Sequence, residues 1–303
     1  MTTDSLEISS DANGRVQPVL HDVESEEAPL CIDLDAVLAS KLGKRAKRVP
    51  RFLINRLKKI ICVDGLNELL RNNFPKKGGD FCRGVFRDLS VNIEVRGRDN
   101  LPSPANRRVV IVSNHPLGGL DGMALIAFFS EYYGGRIHFL VNDLLMAVRP
   151  LNEVFVPVNK HGAQSREASK RVEELFMGDD PILIFPAGLV SRLQQKDTVK
   201  DLEWKKMFVN RAISSHRDVI PVHFSGNNSA FFYKFARRRK SLGLKFNIEM
   251  IYLPREVFRA KGSTFIITCG KPIAWSSLKG GAQASATAER VKEQVYSLAP
   301  GER

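Results

Sequence analysis

His115 and Asp121 are the pair in this chain best placed to do chemistry together. They lie in the loop Asn114-His115-Pro116-Leu117-Gly118-Gly119-Leu120-Asp121, with five residues between them, after an apolar run that ends at Ser113. A neutral imidazole is a base near pH 7, and a carboxylate within reach fixes its tautomer and raises its basicity. The double glycine lets the chain fold back far enough for the two side chains to meet. Each residue also has a plainer use, Asp121 as a helix N-cap and His115 as a hydrogen-bonded loop histidine. A second segment, Pro181-Ile182-Leu183-Ile184, breaks at Phe185-Pro186-Ala187-Gly188 and is followed by the cation Arg192. Such a turn can present backbone N–H groups to an oxyanion or phosphate. A third run ends in the polar pair Asn159-Lys160, and a fourth, from Val219 to Asn227, has the same strand-then-loop form.

The elements that must position these residues are legible as an alternation. Short β-rich runs at 90–95, 108–113, 136–141, 154–158, 181–185, 219–224, 246–252 and 264–269 interleave with helical patterns at 121–132, 164–177, 202–214, 229–240 and 286–298. Strands alternating with helices of this length predict an α/β fold, a largely parallel or mixed central sheet flanked by helices. Runs such as Val109-Val110-Ile111-Val112 are apolar on both faces, as strands covered on both sides must be. Ligands gather at the carboxyl ends of strands in such sheets, which is where His115 falls. Three regions are expected: an acidic flexible tail over 1–45 with a short helix at 34–42, a basic amphipathic helical segment over 46–89, and an α/β domain over 90–303.

Composition narrows the function classes. The 303 residues are 43% hydrophobic and 26% charged, enough to fill a core, which excludes disorder throughout. The net charge of +13 hides a split, because residues 1–40 hold nine carboxylates and one arginine, so the remainder carries +21. A body that basic expects a polyanionic partner: nucleic acid, an anionic membrane surface or a phosphorylated substrate. Nine cations and no acid fall within 41–59, where Leu53, Ile54, Leu57, Ile60 and Ile61 share one helical face. That segment reads as a core-packing helix with a solvated back or as a helix lying on anionic lipid. In Phe231-Phe232-Tyr233-Lys234-Phe235-Ala236-Arg237-Arg238-Arg239-Lys240 the aromatics precede the charges. This pattern suits a core helix or a membrane interface better than nucleic-acid stacking.

No run approaches the length of a membrane span, and the acidic N-terminus is the opposite of a signal peptide. The expected location is therefore cytoplasmic, peripheral on the inner face of the cytoplasmic membrane. Cys31, Cys62, Cys82 and Cys269 are scattered, so neither disulfides nor a metal site is expected. A serine hydrolase elbow, a phosphate-binding P-loop and a dinucleotide fingerprint are all missing from the sequence, which argues against serine hydrolysis and a nucleotide cofactor.

Four ordered segments carry a resemblance: Asn114-His115 through Asp121, the strand before Asn159-Lys160, Phe185-Pro186-Ala187-Gly188, and Val219-Ile220-Pro221-Val222. Over roughly residues 90–275 the chain resembles the glycerolipid acyltransferases, the family that includes lysophosphatidate and glycerol-3-phosphate acyltransferases. The resemblance implies an α/β acyltransferase fold and transfer of an acyl group from a coenzyme A or acyl-carrier-protein thioester to a lysolipid acceptor. It implies no covalent enzyme intermediate and no cofactor beyond the thioester co-substrate. His115 takes the base role and Asp121 the orienting role. Asn114, Asn159, Lys160, Phe185, Pro186, Ala187, Gly188 and Arg192 are expected at the substrate, with backbone N–H groups around Gly188 holding the oxyanion. Two departures stand out: the family has four residues between His and Asp, and it has Glu where this chain has Ala187. The variant motifs look like the hemolysin-like subgroup, some of whose members make ornithine and glycine lipids. The expected acceptor is thus the hydroxyl of a lyso-aminolipid whose carboxylate meets Arg192 or Lys160. The alternatives are a lysophosphatidate acyltransferase and a non-catalytic basic protein that docks on membranes or nucleic acid.

Overall fold

The computed structural model describes residues 30–43, 48–158, 164–194, 198–244 and 246–301. The acidic stretch over 1–29 and the expected substrate residues Asn159 and Lys160 lie outside the described residues. The chain forms α1 (Leu34–Leu42), α2 (Arg51–Ile61), α3 (Val63–Asn72) and α4 (Gly78–Asp88) before its first strand, β1 (Asn92–Arg96). Then come β2 (Val109–Ser113), α5 (Leu120–Tyr132), β3 (His138–Val141), β4 (Phe155–Pro157), α6 (Gln164–Met177) and β5 (Ile182–Ile184). A small hairpin of β6 (Arg192–Leu193) and β7 (Val199–Lys200) leads to α7 (Met207–Ser214), β8 (Asp218–Phe224) and α8 (Ala230–Ser241). The chain ends with α9 (Leu253–Arg259), β9 (Thr264–Cys269) and α10 (Ala284–Ser297).

Seven strands make one sheet in the order β1-β9-β8-β2-β5-β3-β4. The strands β2, β3, β4, β5 and β8 run parallel, while β9 pairs antiparallel with β8 and parallel with β1. The alternation of side chains along β2 explains the helical layers on both faces. Val109 and Ile111 pack into one apolar cluster with Phe81, Val85, Leu125 and Phe129 from α4 and α5. Val110 and Val112 pack into the other with Phe176, Phe208, Val209, Ala288 and Val291 from α6, α7 and α10. The four apolar side chains of β2, Val109 to Val112, are fully buried, each contributing about 1.5–3 kcal/mol to folding. The register sets Val112 beside Ile184 of β5 and Pro221 of β8, so these central strands end level with one another. The loops that leave them share one edge.

The structure corrects three expectations. Residues 30–43 are docked, not loose: the Ile32 backbone exchanges hydrogen bonds with the Asn67 side chain, and α1 is capped by Asp33. Asp35 of this helix pairs with Arg51 and Lys58 of α2, which holds its carboxyl below the usual range. The strand expected over 246–252 is a turn of 3-10 helix at Ile248–Tyr252, because Glu249 turns inward to two arginines instead of alternating with its neighbours. The helix expected from 202 begins at Met207, since Asp201 and Trp204 before it are engaged in side-chain bonds.

Candidate active site

β2 ends at Ser113, and the next residue locks the loop to the sheet. Asn114 donates through Nδ2 to the Phe224 carbonyl (2.9 Å) and accepts the Phe224 N–H on Oδ1 (2.7 Å). Its buried amide thereby extends the β2–β8 ladder by a side chain, so it serves the scaffold and not the substrate contact expected of it. The loop then turns back on itself. Gly118 has φ +82, and a Cβ there would come within 2.8 Å of Val190 and Leu253, so glycine is required by conformation and by space.

That turn brings His115 Nδ1 to 2.9 Å from Asp121 Oδ2. Asp121 is fully buried and does not cap α5; the cap position belongs to Gly119. Its Oδ2 also accepts the N–H groups of Leu117 (2.9 Å) and Gly118 (3.3 Å), and its Oδ1 accepts that of Gly122 (2.9 Å). The extra residue between His and Asp is absorbed in a loop whose own peptides solvate the carboxylate. Burial alone would raise the Asp121 carboxyl, but the charge and hydrogen bond of His115, with the Leu117 and Gly122 N–H groups, hold it below its ordinary value. A carboxylate only accepts hydrogen bonds, so Nδ1 carries the imidazole proton and Nε2 keeps its lone pair. The His115 side chain remains 16% exposed. Phe185 stacks on its ring at 4.0 Å between centroids and is itself braced edge-on by Phe139.

The other expected residues divide. Phe185 supports the His115 ring, while Pro186, next in the turn, accepts the Lys205 N–H on its carbonyl (3.1 Å). Gly188 has φ +64 and donates its N–H to the Phe185 carbonyl (2.9 Å), so this N–H closes the turn and is not the oxyanion donor anticipated. Ala187 is buried in the apolar cluster beneath the sheet, where the family's carboxylate would have to be desolvated. Arg192 is held by Glu249 (2.9 Å), which also binds Arg239 (2.7 Å), so the cation expected to meet an acceptor carboxylate is already paired.

Two residues that no sequence pattern marked touch the site directly. Asp201 Oδ1 accepts the His115 N–H (3.2 Å), and the Ser191 N–H donates to the His115 carbonyl (2.8 Å). The signal is faint, a single carboxylate in a polar stretch. Burial pushes its carboxyl above the ordinary value, against the hydrogen bonds from Ser191 and Trp204.

An acyltransferase family model matches residues 36–301. The chain is 44% identical over 274 residues to the lyso-glycine lipid O-acyltransferase of Phocaeicola vulgatus, spanning 90% of this chain and 97% of that one. It is 43% identical over 274 residues to the lyso-glycine lipid O-acyltransferase of Bacteroides thetaiotaomicron, spanning 90% and 100%. Among solved structures it is similar to the 1-acyl-sn-glycerophosphate acyltransferase PlsC of Thermotoga maritima at 15% identity and a TM-score of 0.43, covering 89% of this chain and 98% of that one. That last likeness is too distant to bear on the site.

Proposed function

The chain belongs to the acyltransferase family, and on that premise we propose that it moves a fatty acyl group from a coenzyme A or acyl-carrier-protein thioester to the hydroxyl of a lyso-aminolipid. The observation that carries the reading is the His115–Asp121 pair at the carboxyl end of β2. Nε2 takes the proton of the acceptor hydroxyl as the oxygen attacks the thioester carbonyl. The imidazolium is stabilised by the buried Asp121 carboxylate. The tetrahedral adduct expels the thiolate, which recovers the proton from His115, leaving an ester and a free thiol. No acyl group is parked on the protein.

The acceptor is an amino acid carrying one N-linked 3-hydroxyacyl chain. Two features support it. Relatives at 43% and 44% identity are named for a lyso-glycine lipid. Ala187 also leaves its buried position without a carboxylate to repel the one the acceptor brings. With Arg192 engaged by Glu249, Lys160 is the proposed cation for that carboxylate.

The reaction is set at an anionic membrane surface. Phe52 and Leu53 of α2, Phe231 of α8 and Leu242 and Phe246 beyond it are exposed apolar side chains beside Arg51, Arg56, Arg238 and Arg255. The helices α2 and α8 both pack against the Ile248–Tyr252 turn. Among the described residues no helix is long and apolar enough to cross a membrane. A cation near an anionic bilayer adds about 1 kcal/mol, screened by salt.

The test is an assay of purified protein with a thioester donor against an N-(3-hydroxyacyl) glycine and against lysophosphatidate, each in anionic vesicles. O-acylation of the first, weakening as salt rises, is expected. Efficient transfer to lysophosphatidate with none to the N-acyl amino acid returns the protein to phospholipid synthesis.

A further inference from the structure

The β6–β7 hairpin has a register that reaches the active site. Arg192 pairs with Lys200 and Leu193 with Val199, antiparallel, so the next residues outward, Ser191 and Asp201, face each other across the hairpin's base. There the Ser191 hydroxyl donates to Asp201 Oδ1. The same Oδ1 accepts the His115 N–H, and the Ser191 N–H donates to the His115 carbonyl. These bonds form a closed ring around one residue of the β2–α5 loop. The ring is anchored from outside. Trp204 Nε1 donates to Asp201 Oδ2 (2.9 Å), and the Asp201 N–H donates to the Tyr296 hydroxyl of α10 (2.7 Å). Ser191 and Asp201 are 1% and 3% exposed.

The geometry points to Ser191 and Asp201 as positioning residues for the transfer reaction, a clamp that fixes the His115 main chain while Asp121 and Phe185 fix its ring. The inference rests on His115 acting as the base. Placing a carboxylate in a nearly sealed site is costly unless it is well hydrogen-bonded, and Asp201 has its bonds supplied by the groups it orders. With both backbone groups of His115 held, the imidazole can differ only in its side-chain torsions. Those are set by the 2.9 Å bond to Asp121 and the 4.0 Å stack on Phe185. A general base acts only in a narrow geometry, and a displacement of about 1 Å costs about 10²-fold in rate.

The test uses the full chain and thermal unfolding as a check on folding. Asp201→Ala should lower kcat by about 10–100-fold while KM stays within about twofold, because the acceptor and donor sites are untouched. The double variant Asp201→Asn with Trp204→Phe keeps the Oδ1 acceptor and removes the donor that would clash with the new amide. It should recover kcat to within about fivefold of Trp204→Phe alone. Ser191→Ala should lower kcat by about 2–10-fold, again with KM unchanged. A folded Asp201→Ala with wild-type kcat, a loss expressed in KM alone, or a failed rescue by the double variant overturns the clamp. Should Asp201→Ala not fold, Ser191→Ala decides, and an unchanged kcat overturns it. His115→Ala assayed in parallel separates the two claims: wild-type transfer there defeats the base assignment, whatever the clamp variants show.

Discussion

Among the described residues, Asp121 and Glu249 are the carboxylates with no exposure at all, and they face different kinds of partner. Glu249 sits between Arg192 and Arg239, two cations that never release a proton. The cluster joins the β6–β7 hairpin, α8 and the Ile248–Tyr252 turn, and Arg192 also lies over the Phe232 ring at 5.7 Å. Asp121 is held by three peptide N–H groups and one imidazole. Of these partners only the imidazole can exchange a proton, and its side chain is 16% exposed. The same chemical group is therefore a brace in one region and half of a proton-handling pair in the other. The partner decides which, and burial does not.

The sharpest way to break this contrast is to neutralise each carboxylate in turn. Asp121→Asn should lower transfer by about 10²–10⁴-fold, because the imidazole loses its tautomer control and the stabilisation of its cation. The carboxamide keeps one oxygen for the N–H groups of Leu117 and Gly118 and turns its NH2 toward the Gly122 N–H, so the protein should lose some stability and still fold. Glu249→Gln should do the reverse. It leaves two buried guanidinium groups without a counter-charge and should cost about 3–5 kcal/mol in denaturant unfolding. The kcat measured where that variant is still folded should stay within about threefold of wild type. A stable but inactive Glu249→Gln would place Glu249 in the reaction and dissolve the distinction.

A smaller effect sharpens it further. The Asp121 carboxyl is held below its ordinary 3.8 in the folded chain, so its pairing stabilises the fold fully above that value. The contribution is lost as pH falls through the lowered folded-state pKa. The stability gap between wild type and Asp121→Asn should therefore be constant near neutral pH and narrow only as pH falls to and below about 4, read by unfolding at each pH. A gap that widens on acidification contradicts the assigned direction.

How much of this was legible in the chain follows the range of the interactions involved. The apolar strand, the double glycine and the helix start are local, and together they announced the His115–Asp121 loop. The α/β alternation announced the sheet, although the antiparallel turn of β9 was not readable, because pairing direction depends on long connections. Alternation predicts a strand at Glu249, since it looks the same whether a carboxylate points to water or to buried arginines. The motifs place Asn114 and Gly188 at the substrate, and only the folded chain shows that their polar groups also complete the scaffold through Phe224 and Phe185. No local signal marks Ser191 and Asp201, because a hairpin must close before they stand opposite each other.

The central claim is that His115 is the base for acyl transfer, and one substitution addresses it most directly. His115→Ala should lower the rate of thioester-dependent O-acylation of an N-(3-hydroxyacyl) glycine by about 10²–10⁴-fold, with the unfolding curve and the capture by anionic vesicles unchanged. A folded His115→Ala protein that still transfers the acyl group at nearly the wild-type rate would contradict it.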